Sequence, residues 1–343
     1  MPSILCIHHA PCNDGAAAAA ALAYRLIEQK SPETLISGDI EPDRMIEVMP
    51  LAFGRDWDAP IDADYIEHLG HHSEVVEEIY IVDISLSRIR YEQVIEELGR
   101  RGRIGDRKPR VICIDHHRSA IERLEEIESY CDETCIRIGP GLSGATLVWK
   151  YFDERSRERP LPLLLQYVAD QDIWEWKLPG SKEVNSALNT LNGMMPTLWQ
   201  ELLESIADPD EWLARRTAQG DSILSVVDSQ VRRAFGITAR HISADGIEYM
   251  VVNATTNSSE IGNRLCEDSE NSPDCVAMIF SVLDDWSVKV SVRTVSGGKI
   301  TARTVAERFG GGGHDNAAGC RFESVEELKN AIRDLVRSGI IAS

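Results

Sequence analysis

The stretch SILCIHHAPCNDGAAAAAALAYRLIE, residues 3–28, decides the fold. Ser3 to Ile7 is a short apolar run of strand length, and Gly15 to Glu28 is rich in Ala, Leu and Ile, the composition of a helix. Between them, His8, His9, Cys12 and Asp14 crowd into a strand-to-helix turn. The strand end aims these side chains and the helix fixes the turn.

Two more apolar runs end in the same way. EEIYIVDISLS, residues 77–87, carries Asp83 where its apolar run stops, and PRVICIDHHRSA, residues 109–120, carries Asp115, His116 and His117. In open α/β sheets ligands bind beyond the carboxyl ends of the strands, so three polar clusters at three such ends are expected to converge. A fourth cluster follows a helix: LPLLLQYVADQDIWEWKLPG, residues 161–180, has Pro162 near the helix start, Asp170 and Asp172 at its end, and Trp174 and Trp176 behind them. The two tryptophans read as core residues. Taken singly each cluster is a solvated loop as readily as a site; their order along one chain is what carries weight.

From about Met195 to Gly236 the sequence is helical and polar and reads as a connecting segment. A second α/β pattern then begins with strand IEYMVVNA, helix EIGNRLCE, strand CVAMIFSVL, a turn at Asp284 and Asp285, and strand WSVKVSVRTV. In that last strand Val288, Val290 and Val292 alternate with Lys289, Ser291 and Arg293, so one face packs and the other presents charge. The final helix opens with Ser324 and Glu327 in capping-box spacing and is expected to stop at Gly339. The expected division is a metal-site domain over 1–190, a helical connector over 191–239, and a substrate-binding domain over 240–343. The fold class is α/β: an N-terminal parallel sheet plus a smaller C-terminal α/β domain.

With 343 residues the chain is long enough for two cores, and its 43% hydrophobic and 27% charged residues are ordinary for a globular protein. The longest apolar run, Ala16 to Tyr24, is too short to cross a bilayer, and the first strand lacks a signal-peptide pattern, so a cytoplasmic protein is expected. The eight cysteines, at 6, 12, 113, 131, 135, 266, 275 and 320, form no CxxC pair and read mostly as buried thiols. A net charge of −20 argues against wrapping long duplex DNA, which relies on Lys and Arg against phosphate. An anionic substrate needs a local remedy. Metal ions are one, and the window Trp286 to Phe322 is another: it holds Lys289, Arg293, Lys299, Arg303, Arg308 and Arg321 against Glu307 and Asp315 alone. The same window contains ERFGGGGHDNAAGCRF, whose glycine run reads either as a flexible loop or, with His314 beside it, as a grip on phosphate or carboxylate.

Over nearly its whole length the sequence resembles a DHH family phosphoesterase with a DHH-associated C-terminal domain. The pattern H-x3-D-x-D is met by His8 and Asp14 with Cys12 at the intermediate position; Asp83, the tripeptide Asp115-His116-His117 and Asp170 fill the later motifs, and GGGH at 311–314 followed by DNAAG is similar to the signature of the associated domain. The resemblance implies two Mn²⁺ or Mg²⁺ ions, one held by His8, residue 12 and Asp83, the other by Asp14, Asp83, His116 and Asp170, with Asp83 bridging. It implies catalytic roles for Asp83, Asp115, His116 and His117. On the substrate side, His117 and Arg118 would contact phosphate from the metal side, with Arg293, Gly311, Gly312, Gly313 and His314 holding it from the other. The implied reaction is metal-dependent hydrolysis of a phosphoester in a short single-stranded oligonucleotide or small nucleotide, in an interdomain cleft, with no membrane or long-duplex partner. Two alternatives are a phosphatase for pyrophosphate or short polyphosphate, and a non-catalytic nucleotide sensor. Cys12 departs from the pattern: a thiol suits Mn²⁺ or Mg²⁺ less well than a carboxylate, so the first ion binds weakly, is softer or is absent, or Cys12 is a small turn residue. His9 is read as packing or support behind the ligands, with a spare ligand as the other reading, and His71 and His72 as surface residues.

Overall fold

A computed structural model describes residues 3–30, 46–52, 57–67, 69, 73–155, 158–237, 240–244, 247–267, 274–295 and 297–338. His71, His72 and Gly339 lie outside the described residues. The chain divides into two compact units, Met1–Asp221 and Ser222–Ser343.

The first unit runs β1 (Ser3–His9), α1 (Asn13–Lys30), β2 (Glu47–Leu51), α2 (Ala63–Glu67), β3 (Val76–Val82), α3 (Arg88–Arg100), β4 (Arg110–Asp115), α4 (Arg118–Glu122), α5 (Leu124–Glu128) and β5 (Glu133–Ile136). Helices α6 (Gly144–Asp153), α7 (Leu163–Asp172), α8 (Ser181–Leu188), α9 (Met195–Ala207) and α10 (Pro209–Ile237) follow. The five strands pair in the order β2-β1-β3-β4-β5, and every pairing is parallel. This is the N-terminal parallel sheet that the sequence predicts.

Strand alternation sorts the core into two layers. Ile4, Cys6, Tyr80, Val82, Ile112 and Ile114 point into one layer with α1, α6 and α7, while Leu5, Ile7, Ile79, Ile81, Val111 and Cys113 point into the other with Val94 and Leu98 of α3. Ala16 to Ala21 are fully buried. With nothing beyond a Cβ, they let α1 lie close against α6 and α9, which packs the helix that carries Asp14. The segment expected as a connector is built into the cores: Met195, Leu198, Trp199, Leu202 and Trp212 join the first unit's core, and Val227 and Val231 join a cluster of the second. Buried Glu201 ties the two helices together, accepting from Trp212 Nε1 at 2.8 Å and Arg216 Nε at 2.7 Å.

The second unit contains β6 (Arg240–Ala244), β7 (Ile247–Asn253), α11 (Ser258–Glu267), β8 (Cys275–Val282), β9 (Val288–Thr294), α12 (Ala302–Arg308), β10 (Gly312–Gly313), β11 (Ala317–Phe322) and α13 (Val325–Ser338). Its sheet order is β10-β11-β9-β8-β7-β6, with only β7 and β8 parallel among these pairs. On β9, Val288, Val290 and Val292 are fully buried while Lys289 is exposed, as the alternation predicts. Ser324 Oγ accepts the Glu327 N–H at 3.2 Å and caps α13; the Glu327 carboxylate reaches the Glu323 N–H at 2.6 Å. No described helix is long and apolar enough to cross a membrane.

Candidate metal centre

The sheet order reverses at β1: the chain goes to β2 on one side and returns to β3 on the other. Such a reversal leaves a crevice outside the carboxyl ends of the strands. Here β1 delivers His9, the residue after β3 delivers Asp83, and β4 runs into Asp115, His116 and His117. The first turn of α1 adds Asp14 and the last turn of α7 adds Asp172.

These side chains meet. His116 Nε2 lies 3.0 Å from Asp83 Oδ1, 3.4 Å from Asp172 Oδ2 and 3.6 Å from Asp14 Oδ2, and His9 Nδ1 lies 3.4 Å from Asp83 Oδ2. Three overlapping groups have donor atoms within 4.8 Å of one another: His9, Cys12 and Asp83; Asp83, His116 and His117; Asp14, His116 and Asp172. Asp83 belongs to two of them and His116 to two, so the groups form one continuous cluster.

Each member is held by its surroundings. Asp83 takes a left-handed backbone, φ 58°, which turns its carboxylate off the sheet edge. Gly144 makes room for it: a Cβ there would lie 2.5 Å from the Asp83 Cβ. Asp14 sits at the N-terminus of α6, where Oδ1 accepts from Ser143 Oγ at 2.6 Å and Ala145 N at 3.1 Å, and Oδ2 from Gly144 N at 2.6 Å. Asp115 points to its own tripeptide instead of the cluster. Its Oδ1 accepts from the His116 N–H at 2.7 Å, the His117 N–H at 3.1 Å and His117 Nδ1 at 2.7 Å, while Oδ2 accepts from Ser85 Oγ at 2.6 Å. It is a positioning residue for the two histidines.

Two expected ligands are placed differently. The buried His8 ring turns Nδ1 to the His9 carbonyl at 2.9 Å, and burial pushes its pKa down to about 4. His9, its neighbour on the opposite face of the strand, takes the place beside Cys12 and Asp83. Asp170 is engaged by a loop: Oδ1 accepts from Lys177 N at 2.9 Å and Oδ2 from Leu178 N at 3.2 Å. Asp172 approaches His116 in its stead. Trp174 and Trp176 are half-buried instead of lying in the core. His9 and Asp172 have no signal that separates them from His8 and Asp170 in sequence; the acid-x-acid spacing at 170–172 marks the pair without ranking it.

The electrostatics favour a cation. Asp14 is pushed well above the usual carboxylate range by burial and by Asp83 and Asp172. Burial would raise Asp83 too, but the His116 and His9 imidazoles outweigh it and hold Asp83 well below that range. Both oxygens of Asp83 and Oδ2 of Asp172 are shielded from solvent yet accept no hydrogen bond of ordinary geometry among the described residues. Buried carboxylate oxygens short of well-aligned hydrogen bonds are costly, and a divalent cation is the partner their chemistry suits. The residues present therefore fit a hard metal ion, with the Cys12 thiol as the soft member of the set.

In the second unit, Arg293 is half-buried, with Nη2 on Ser259 Oγ at 2.8 Å and Nη1 on the Val292 carbonyl at 2.9 Å. Register pairs Arg293 with Ala317, whose carbonyl accepts the His314 N–H at 2.8 Å. The glycine run is sheet, not a loose loop: Gly312 and Gly313 pair with Gly319 and Ala318. A Cβ at Gly311 would stand 2.1 Å from the Gly319 carbonyl oxygen, so the close approach of the two chains requires glycine. Arg118, the first residue of α4, is exposed.

Residues 246–338 match the DHHA1 domain family. Oligoribonuclease NrnB of Bacillus subtilis (strain 168) is 26% identical over 298 residues, which cover 82% of this chain and 70% of that protein. An uncharacterized protein of Acanthamoeba polyphaga mimivirus is 24% identical over 221 residues, 63% of this chain; the match spans 48%, about half, of the viral protein. Among solved structures, the DHH domain of a member of a ribosomal-protein family aligns with a TM-score of 0.62 at 14% identity, covering 98% of this chain and 87% of its own, a likeness of fold. With the DHH tripeptide held at the switch point of a parallel sheet, a DHHA1 match on the second unit and a relative that runs through both, the chain is similar to the DHH family phosphoesterases, and its residues 246–338 match their DHH-associated C-terminal domain.

Proposed function

We propose that this protein hydrolyses phosphodiester bonds in short single-stranded oligonucleotides, using divalent cations held by His9, Cys12 and Asp83 on one side and by Asp14, Asp83, His116 and Asp172 on the other. The observation that supports the reading best is Asp83, a buried carboxylate with both oxygens lacking hydrogen bonds of ordinary geometry and an imidazole facing each of them. A pair of such cations supplies a hydroxide nucleophile at neutral pH and neutralises charge on the phosphate. The chain's own residues do the rest. Ser143 and the first amides of α6 hold Asp14 at its oxygens. Asp115 accepts the Nδ1 proton of His117, which leaves the other ring nitrogen to meet a substrate oxygen. Arg293 on β9 and His314 in the turn between β10 and β11 supply positive charge and a hydrogen-bonding ring for the nucleotide.

Substrate length follows from charge. At a net −20 the chain repels extra phosphates over about 8 Å, the Debye length at physiological salt. Oligonucleotides of about two to five nucleotides are therefore expected to turn over faster than strands above about twenty, with the preference shrinking as salt screens the repulsion. The test is a panel of RNA oligomers of graded length, pyrophosphate and adenosine bisphosphate, assayed with Mn²⁺ after chelator treatment. Cleavage of short oligomers that depends on added metal is the expected result. Turnover of pyrophosphate alone would replace the substrate class, and equal rates on long and short strands at low salt would remove the length argument.

A further inference from the structure

We infer that Trp174 and Trp176 form an aromatic subsite that stacks a nucleobase of the substrate beside the metal-binding cluster; the inference rests on the oligonucleotide reading above and extends it to base recognition. Trp174 follows Asp172 by two residues, at most about 7 Å between Cα atoms, and Asp172 Oδ2 stands 3.4 Å from His116 Nε2. The rings are thus tied to the cluster by a very short length of chain.

The loop that carries them keeps several unfavourable features. Trp174 and Trp176 have φ of 60° and 53°, a left-handed backbone that bulky side chains rarely adopt. Both are only partly buried. The Trp176 indole Nε1 is shielded from solvent and has no hydrogen-bond acceptor among the described residues. The rings meet edge to face, centroids 5.1 Å apart at 78°, which leaves the faces of the ring that contributes its edge uncovered by its partner. A pair kept only for packing would gain from a relaxed backbone and deeper burial.

Asp170 holds this arrangement in place. Its carbonyl accepts the Glu175 and Trp176 N–H groups at 2.9 and 3.2 Å, and its carboxylate accepts those of Lys177 and Leu178. Four amides converge on one residue, and Tyr167 Oη closes the turn on the Pro179 carbonyl at 2.6 Å. Backbone strain fixed so firmly next to reacting groups is characteristic of functional loops. Indole faces stack on any base because every base presents a π-face, so this subsite recognises a base as such and not a sequence.

The experiment uses the full chain with Mn²⁺ and compares a dinucleotide with the same dinucleotide lacking one base. The intact substrate should have a kcat/KM about tenfold higher in the wild type, a stacking-sized effect, and W174A or W176A should erase most of that ratio through KM while W176F restores it. In parallel, a nucleoside monophosphate should quench tryptophan fluorescence of the metal-free protein, inorganic phosphate should not, and W174A and W176A should each reduce the quench. Equal kcat/KM for the two substrates in the wild type, equal losses on both substrates in the variants, or no quench by the monophosphate would overturn the subsite. Failure of the wild type to cleave either dinucleotide would strike the oligonucleotide reading instead, and the fluorescence arm would still decide the subsite.

Discussion

The two sheets handle polar chemistry in opposite ways. In the first, β1, β3 and β4 are apolar and buried on both faces, so polar side chains appear where the strands stop, and parallel pairing brings those ends to one place: His9, Asp83 and His116. In the second, β9 is buried on one face only, and Lys289, Ser291 and Arg293 lie along its other face. A parallel sheet with both faces covered concentrates charge at a point, which suits metal binding. A mixed sheet whose second face is only partly covered, here by α11 over Ser291 and Arg293, spreads polar groups along a line, which suits a longer anion.

Breaking the point should do far more damage than breaking the line. Asp83→Asn keeps the shape of the side chain but halves its claim on cations; its activity is expected to fall by a factor of about a thousand or more, with circular dichroism unchanged. A folded mutant with near-normal activity would end the shared-carboxylate account.

The next effect separates two neighbouring acids. Asp172→Asn should weaken Mn²⁺ binding by about ten- to a hundredfold in isothermal titration. Asp170→Asn, which disturbs the amides of Lys177 and Leu178, should chiefly lower stability, by about 1–3 kcal/mol in denaturant unfolding. The reverse pattern would return Asp170 to the ligand set.

Gly144→Ala probes how tightly the point is built. The added methyl would meet Asp83 Cβ at 2.5 Å and Oδ1 at 2.6 Å, so α6 or the Asp83 turn must shift. A loss of about 1–3 kcal/mol is expected, together with weaker metal binding, because the same helix end holds Asp14. Unchanged metal affinity would show that the centre tolerates such a shift.

The smallest effect belongs to the line. Arg293→Ala should raise KM for a short oligonucleotide about tenfold and leave metal stoichiometry as it is, since one of the two charges on β9 is removed. A loss of metal, measured by atomic absorption after gel filtration, would contradict the separation of the two roles.

Much of the centre is legible in the sequence. Asp14, Asp83 and the Asp115-His116-His117 tripeptide announce themselves because each ends an apolar run or opens a helix, and that local pattern already says parallel sheet, strand end and convergence. The alternation of Val288, Val290 and Val292 likewise shows which face of β9 is buried. Choices between neighbours were not legible. His8 and His9 point to opposite faces of one strand, and only the layers packed on each face decide which ring is enclosed and which meets Cys12 and Asp83. Asp170 and Asp172 are separated by one residue at a helix end, and the choice fell to the loop amides that claimed Asp170.

Long-range packing settled the remainder. The space that Asp83 occupies is opened by Gly144, and the donors that hold Asp14 come from Ser143 to Ala145, about 130 positions further along the chain. Gly312 and Gly313 of the glycine run became sheet because β11 lies against them, a partner no local pattern names. The sequence by itself determined which chemistry would gather at the strand ends, because burial periodicity is a local property of the chain. The tertiary structure decided which atoms face one another there, because that depends on contacts between segments far apart in sequence.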